Sequence, residues 1–154
     1  MSSATKPLWV IFAALVAGIA ISSIPKFFES RELVKWKNDL GAAKQQSREN
    51  GKSVLVYFTA TWCGPCQRMK STTFADAEVD AALQQFVAVK VDIDAEPGLA
   101  REFGVSSIPH FVILSPAGSV QRMSEGYLSG PEFLQWLQAP VAPTTHASAV
   151  LMAP

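Results

Sequence analysis

Residues 54–66 read VLVYFTATWCGPC, an apolar run that passes within a few positions into two cysteines. Its first part, VLVYF at 54–58, is short, continuous and rich in β-branched and aromatic residues, the pattern of a strand buried on both faces. Trp62-Cys63-Gly64-Pro65-Cys66 marks the change from strand to helix, and Gln67 to Lys70 continues as helix. A sulfur at that junction meets free backbone N–H groups and the positive end of the helix dipole, both of which favour its thiolate. Cys63 is accordingly the expected nucleophile. Cys66, about one turn further on, can attack the mixed disulfide that Cys63 forms and release the reduced partner. Gly64 and Pro65 are read as letting the chain turn and stiffening it. Such a cycle needs no metal and no organic cofactor.

Rival readings of the same residues are weaker. A lone C-x-x-C can be half a zinc site, but no second pair exists, and the only histidines are His110 and His146. A purely structural bridge across so short a loop constrains the unfolded chain little, so it is better explained as a bond to be opened and closed. For Trp62 two readings stand side by side: a core aromatic, or a shield and partner-binding surface beside a reactive thiol.

Outward from this stretch, Leu33, Trp36, Leu40 and Ala43 recur at helical spacing between Glu29 and Asn50, and Asn50-Gly51 closes the pattern. Asp76 can cap a helical stretch through Leu83. FVAVKVDI at 86–93 reads as a second buried strand, and Glu96-Pro97 opens a short helix. His110 to Leu114 and Ser119 to Met123, joined by Ser115-Pro116-Ala117-Gly118, read as a hairpin. Ser129 with Glu132 forms a capping-box pattern ahead of Phe133, Leu134, Trp136 and Leu137. A parallel βαβ half and an antiparallel ββα half then share one sheet covered on both faces, an α/β sandwich.

Charge and hydropathy divide the chain in three. Residues 1–25 carry a single charged side chain, Lys6, and residues 139–154 carry none. The run at 8–24, LWVIFAALVAGIAISSI, is uncharged and as a helix spans roughly 25 Å, the short end for a bilayer core. It is expected to be a signal anchor in the lipid bilayer or a cleaved signal peptide, with Gly18-Ile19-Ala20 and Ala20-Ile21-Ser22 as candidate cleavage sites. Lys26, Arg31, Lys35 and Lys37 against Lys6 favour a cytoplasmic domain by the positive-inside rule, whereas the signal-like layout favours an extracytoplasmic one. The layout is preferred, which puts the domain in the periplasm or an equivalent space. Residues 26–138 form one domain, and 139–154 an Ala/Pro-rich disordered tail. The formal net charge of zero supplies no field for a phosphate backbone, so nucleic acid is excluded as a partner.

Val54 to Cys66 resembles the active-site strand and loop of thioredoxin. The similarity continues through Val89-Lys90-Val91-Asp92-Ile93-Asp94, Ser107-Ile108-Pro109 and Gly126 to the last helix. Thr73-Phe74-Ala75-Asp76 with Val79 is similar to exported thiol:disulfide interchange domains, such as the C-terminal domain of DsbD-type disulfide reductases. The resemblance covers about residues 30–138 and implies a three-layer α/β/α sandwich on a mixed sheet of about four strands, preceded here by the N-terminal hydrophobic helix. It implies that Pro109 is cis and faces the dithiol, with Ile108 offering its backbone to an extended peptide. It also implies disulfide exchange with protein substrates and a separate membrane or soluble electron donor.

Three departures from the family follow. Tyr57 and Lys70 stand where the family places carboxylates that accept the resolving thiol's proton, and Lys90 is thereby expected to lose its partner and turn outward. His110 replaces a threonine; it either tunes a thiolate or is a partly exposed residue at a strand start. The Gly-Pro dipeptide resembles reducing members, so reduction is the favoured direction. The alternative is a thioredoxin-fold module that binds peptides or a metal ion through Trp62, Ile108 and Pro109 with little turnover.

Overall fold

The computed structural model of the protein describes residues 32–140. The apolar segment at 8–24 and the tail from 141 onward lie outside these residues; among the described residues no helix is long and apolar enough to cross a membrane. Four strands form one sheet in the order β2-β1-β3-β4: β1 Val54–Thr59, β2 Val87–Asp92, β3 His110–Leu114 and β4 Val120–Glu125. β2 runs parallel to β1 with Val54 beside Val87, while β3 is antiparallel to both β1 and β4.

Burial follows position in that order. β3 is buried at every residue and β1 at all but its last, because each has a strand on either side and helices above and below. The sequence reading of 86–93 as uniformly buried is corrected: β2 alternates buried and half-buried residues. It lies at the sheet margin, where among the described residues only Lys37 adds a bridge, its N–H donating to Ala88 O (2.9 Å) and its carbonyl accepting from Lys90 N–H (2.8 Å).

The helices are α1 Leu40–Asn50, α2 Gly64–Ser71, α3 Ala77–Leu83, α4 Pro97–Glu102 and α5 Gly130–Gln138, with a 3₁₀ turn at Thr73–Ala75. The helical spacing that begins at Leu33 overstates α1. Asp39 caps the helix, its Oδ1 accepting from Ala42 N–H at 2.9 Å, and the chain before it is not helical. Trp36 is drawn into an aromatic cluster instead, with ring centroids 5.3 Å from Tyr57 and 5.1 Å from Phe74, while Leu33 remains exposed. Asp76 caps α3 by accepting from Glu78 and Val79 N–H, and Ser129 with Glu132 makes the capping box of α5, both as their spacing predicts.

Side-chain alternation along the strands gives the sheet two apolar faces. On one, Leu55, Tyr57, Phe111 and Ile113 meet Cys66 and Met69 of α2, Val79 of α3 and Phe133 of α5. On the other, Val54, Val56, Phe58 and Val112 meet Leu40 and Ala43 of α1, with Leu99 and Phe103 of the α4 region packed alongside. Each fully buried Phe or Leu stabilises this arrangement by roughly 1.5–3 kcal/mol. The result is the expected α/β/α sandwich, which holds the end of β1 and the start of α2 at one edge of the sheet.

Candidate active site

β1 ends at Thr59, and Ala60 to Trp62 carry the chain to Cys63, the N-cap residue of α2. Cys63 Sγ accepts from the backbone N–H of Cys66 at 3.1 Å, so this sulfur rather than an oxygen fills the cap. Gly64 and Pro65 form the first turn, and Cys66 faces back toward Cys63, to which it is disulfide-bonded at 1.99 Å. Both cysteines are buried. The turning role expected of Gly64 is not needed: it is not among the positive-φ glycines, and a Cβ there would meet nothing within 4 Å. Pro65 sits where a helix tolerates proline, since its missing N–H would have had no intrahelical partner.

The Ile108-Pro109 peptide bond is cis, and the Ile108 carbonyl oxygen lies 3.8 Å from Cys63 Sγ. Gly126, at φ 86° in the left-handed region, donates its N–H to the Pro109 carbonyl at 2.8 Å and ties this loop to the end of β4. Trp62 is 66% exposed, which removes the core reading, and its indole N–H donates to Asp94 Oδ2 at 2.8 Å. Beside it a groove of about 300 Å³ is lined by Trp62, Ile93, Val105, Ser107 and Ile108.

His110 departs from both readings offered for it. It is buried, and its ring lies edge-on to Phe58, its cross-strand neighbour, on the sheet face opposite the cluster that holds Cys63 and Cys66. Neither ring nitrogen has a hydrogen-bond partner among the described residues. Burial holds its pKa below the ordinary 6.5, and the Glu125 carboxylate pulls the other way.

A second cavity, of about 500 Å³, opens on Cys66 from the other side, with Tyr57, Lys70 and Lys90 on its wall. Tyr57 is buried, and its hydroxyl pKa is pushed up to about 12, chiefly by burial. Lys90 is not left without a carboxylate: with Tyr57 in place of the family partner, its Nζ lies 3.5 Å from Glu32 Oε2 instead. Glu32 also accepts from the Trp36 indole N–H. Sequence reasoning passed over Glu32 because its spacing to Trp36 was absorbed into a helix that starts later. It passed over Asp94 as a partner of Trp62 because nothing local links residues 32 positions apart. Among the described residues no group of three or more His, Cys, Asp or Glu is arranged to hold a metal ion.

The thioredoxin-like family model matches residues 35–116. The chain belongs to the thioredoxin-like family. A thioredoxin-like protein of Synechocystis sp. is 40% identical over 88 residues, which cover 56% of this chain and 80% of that one. The solution structure of a thioredoxin from Thermus thermophilus is 31% identical, with a TM-score of 0.61, covering 68% of this chain and 84% of its own. The oxidised C-terminal domain of DsbD from Neisseria meningitidis shares the fold at a TM-score of 0.58 and 23% identity, over 66% of this chain and 96% of that one. With its cysteines joined at the start of α2, this thioredoxin-like protein is a thiol–disulfide oxidoreductase.

Proposed function

We propose that this oxidoreductase reduces disulfides in protein substrates, Cys63 attacking and Cys66 resolving. The Cys63 thiolate attacks one sulfur of the substrate disulfide; that bond breaks, and the first substrate thiol leaves with a proton from solvent. Cys66 then attacks Cys63 Sγ, the mixed bond breaks, and the second substrate thiol departs. Two electrons have moved from the dithiol to the substrate. The observation that carries this reading is a sulfur capping α2 while lying 3.8 Å from the Ile108 carbonyl, where an extended peptide would pair. The exposed Trp62 and its apolar groove support a protein rather than a small-molecule substrate. The chain's two cysteines form one pair, so each turnover needs a separate membrane or soluble electron donor. The Gly64-Pro65 dipeptide supports the reducing direction. We further propose that residues 8–24 anchor the protein in a membrane with the domain outside the cytoplasm, on the strength of that uncharged run.

Insulin reduction by the full-length protein with a dithiol donor tests the exchange. Cys63→Ser should fall to the uncatalysed rate, and Cys66→Ser should accumulate a mixed disulfide with the substrate. Turnover undiminished in Cys63→Ser would reject the mechanism. Partner capture unchanged without either cysteine would favour a binding module.

A further inference from the structure

Glu32 precedes every helix and strand described here, yet its carboxylate reaches the cavity on which Cys66 opens. A thiol buried among apolar groups holds its proton more tightly than a free one, and the second exchange step waits on that proton leaving. Cys66, 3% exposed and packed with Tyr57, Met69 and Phe74, is such a thiol once the disulfide is reduced. The other titratable groups on the cavity wall are Glu32, Tyr57 of β1, Lys70 of α2, Lys90 and Asp92 of β2, and Glu96.

Most of these cannot take the proton. Tyr57 keeps its own until far above neutral pH. Lys70 and Lys90 are cations. Glu96 is exposed, and Asp92, at the last position of β2, turns Oδ1 to the backbone of the turn that follows, accepting the Asp94 N–H at 2.9 Å. Glu32 differs: its side chain is only 13% exposed, and its two oxygens are held separately, one by Lys90 and the other by the Trp36 indole. The cavity, at about 500 Å³, has room for several waters to bridge it to the thiol.

We propose that Glu32 is the proton acceptor for Cys66, receiving the proton through cavity water as Cys66 attacks the mixed disulfide, with Lys90 and Trp36 positioning it. In that step the Cys66 proton passes to the Glu32 carboxylate, and the Cys66–Cys63 bond forms as the Cys63–substrate bond breaks. The electron pair leaves on the substrate sulfur, which takes a proton from solvent, and Glu32 returns its own to the cavity. This assignment rests on Cys66 being the resolving thiol.

Stopped-flow reaction of the reduced full-length protein with excess DTNB reads the two steps apart. One thionitrobenzoate is released when Cys63 attacks and a second when Cys66 resolves. Glu32→Gln, which keeps a carbonyl for Trp36, should slow the second release by about a hundredfold or more, within the usual range for losing an acid–base group. The first release should stay within about twofold of wild type. The acidic limb of the second phase's pH profile should vanish in Glu32→Gln and return in Glu32→Asp, and Lys90→Met, which releases one of the two groups holding the Glu32 carboxylate, should slow the second release. A second phase whose rate and pH profile are unchanged in Glu32→Gln overturns the assignment. Should that variant not fold, a second release at the wild-type rate in Glu32→Ala overturns it instead. A second release that persists in Cys66→Ser would instead remove the dithiol mechanism beneath it.

Discussion

His110 shows how one residue's environment turns into a pH dependence. Folding buries a ring with two nitrogens that find no partner among the described residues, against Phe58 and away from the dithiol. The folded protein therefore resists protonating it, and its pKa falls below the ordinary 6.5 that the unfolded chain keeps. Between those two values the unfolded chain binds a proton that the native state does not, so stability is lost as pH drops below about 6.5. The loss cannot exceed about 1.4 kcal/mol per pH unit from this group. His110→Leu removes both the titration and two unsatisfied buried atoms, each of which costs on the order of 1–3 kcal/mol. The variant should melt no lower than wild type at pH 7.5 and progressively higher by comparison at pH 6 and 5. Parallel melting curves for the two proteins across that range would contradict this account.

Elements here are set largely by what caps them. α2 begins on a sulfur, α1 on Asp39, α3 on Asp76 and α5 on a capping box in which hydrogen bonds from Ser129 hold the Glu132 carboxyl below the usual carboxylate range. α3 is only seven residues long, too short to persist by propensity, so its cap and its apolar contacts, Val79 and Leu83, must hold it. Asp76 satisfies two N–H donors at 2.7 and 3.3 Å, and a Cβ at Gly130 of α5 would come within 3.3 Å of its carboxylate. Asp76→Ala should cost about 1 kcal/mol and lower the melting temperature by roughly 4–8 °C. Urea titration followed by far-UV circular dichroism would measure it, and an unchanged midpoint would mean the packing alone secures α3. The caps of α3 and α5 were legible in the sequence because each depends on residues two or three apart. The start of α1 was not, because Leu33 and Trp36 keep a helical rhythm while the chain they belong to is not helical and is tied to Phe74, where Leu33 N–H donates to the Phe74 carbonyl at 2.8 Å.

Across the whole molecule, a network of rings from Trp36 through Tyr57, Phe74 and Phe111 to Phe133 and Trp136 joins the segment before α1, the sheet and α5 into one core behind the dithiol. Arg122 of β4 binds the carbonyl of Leu137 at 3.2 Å, together with those of Trp136 and Ala139, so the cation closes the C-terminal end of α5 against the sheet. Joining the N-terminal segment to this core also brings Glu32 to the cavity. That segment continues back toward the uncharged run at 8–24, which bears on where the domain works. Expressed in a bacterial host, the full-length protein should sediment with membranes, resist carbonate extraction, and become protease-sensitive once the outer membrane alone is opened. A domain protected until the inner membrane is lysed would overturn the extracytoplasmic orientation. Release by carbonate would overturn the anchor.

The order of strands and helices, the helix caps and the placing of a dithiol at a strand–helix junction all follow from near neighbours in the chain, where side-chain spacing and backbone donors act over a turn or less. Glu32 meeting Lys90, Trp62 reaching Asp94, His110 turning from the dithiol and Tyr57 losing its acidity follow only from folding. Each depends on which surfaces close over which, and burial and ion pairing between distant residues have no signature in local sequence.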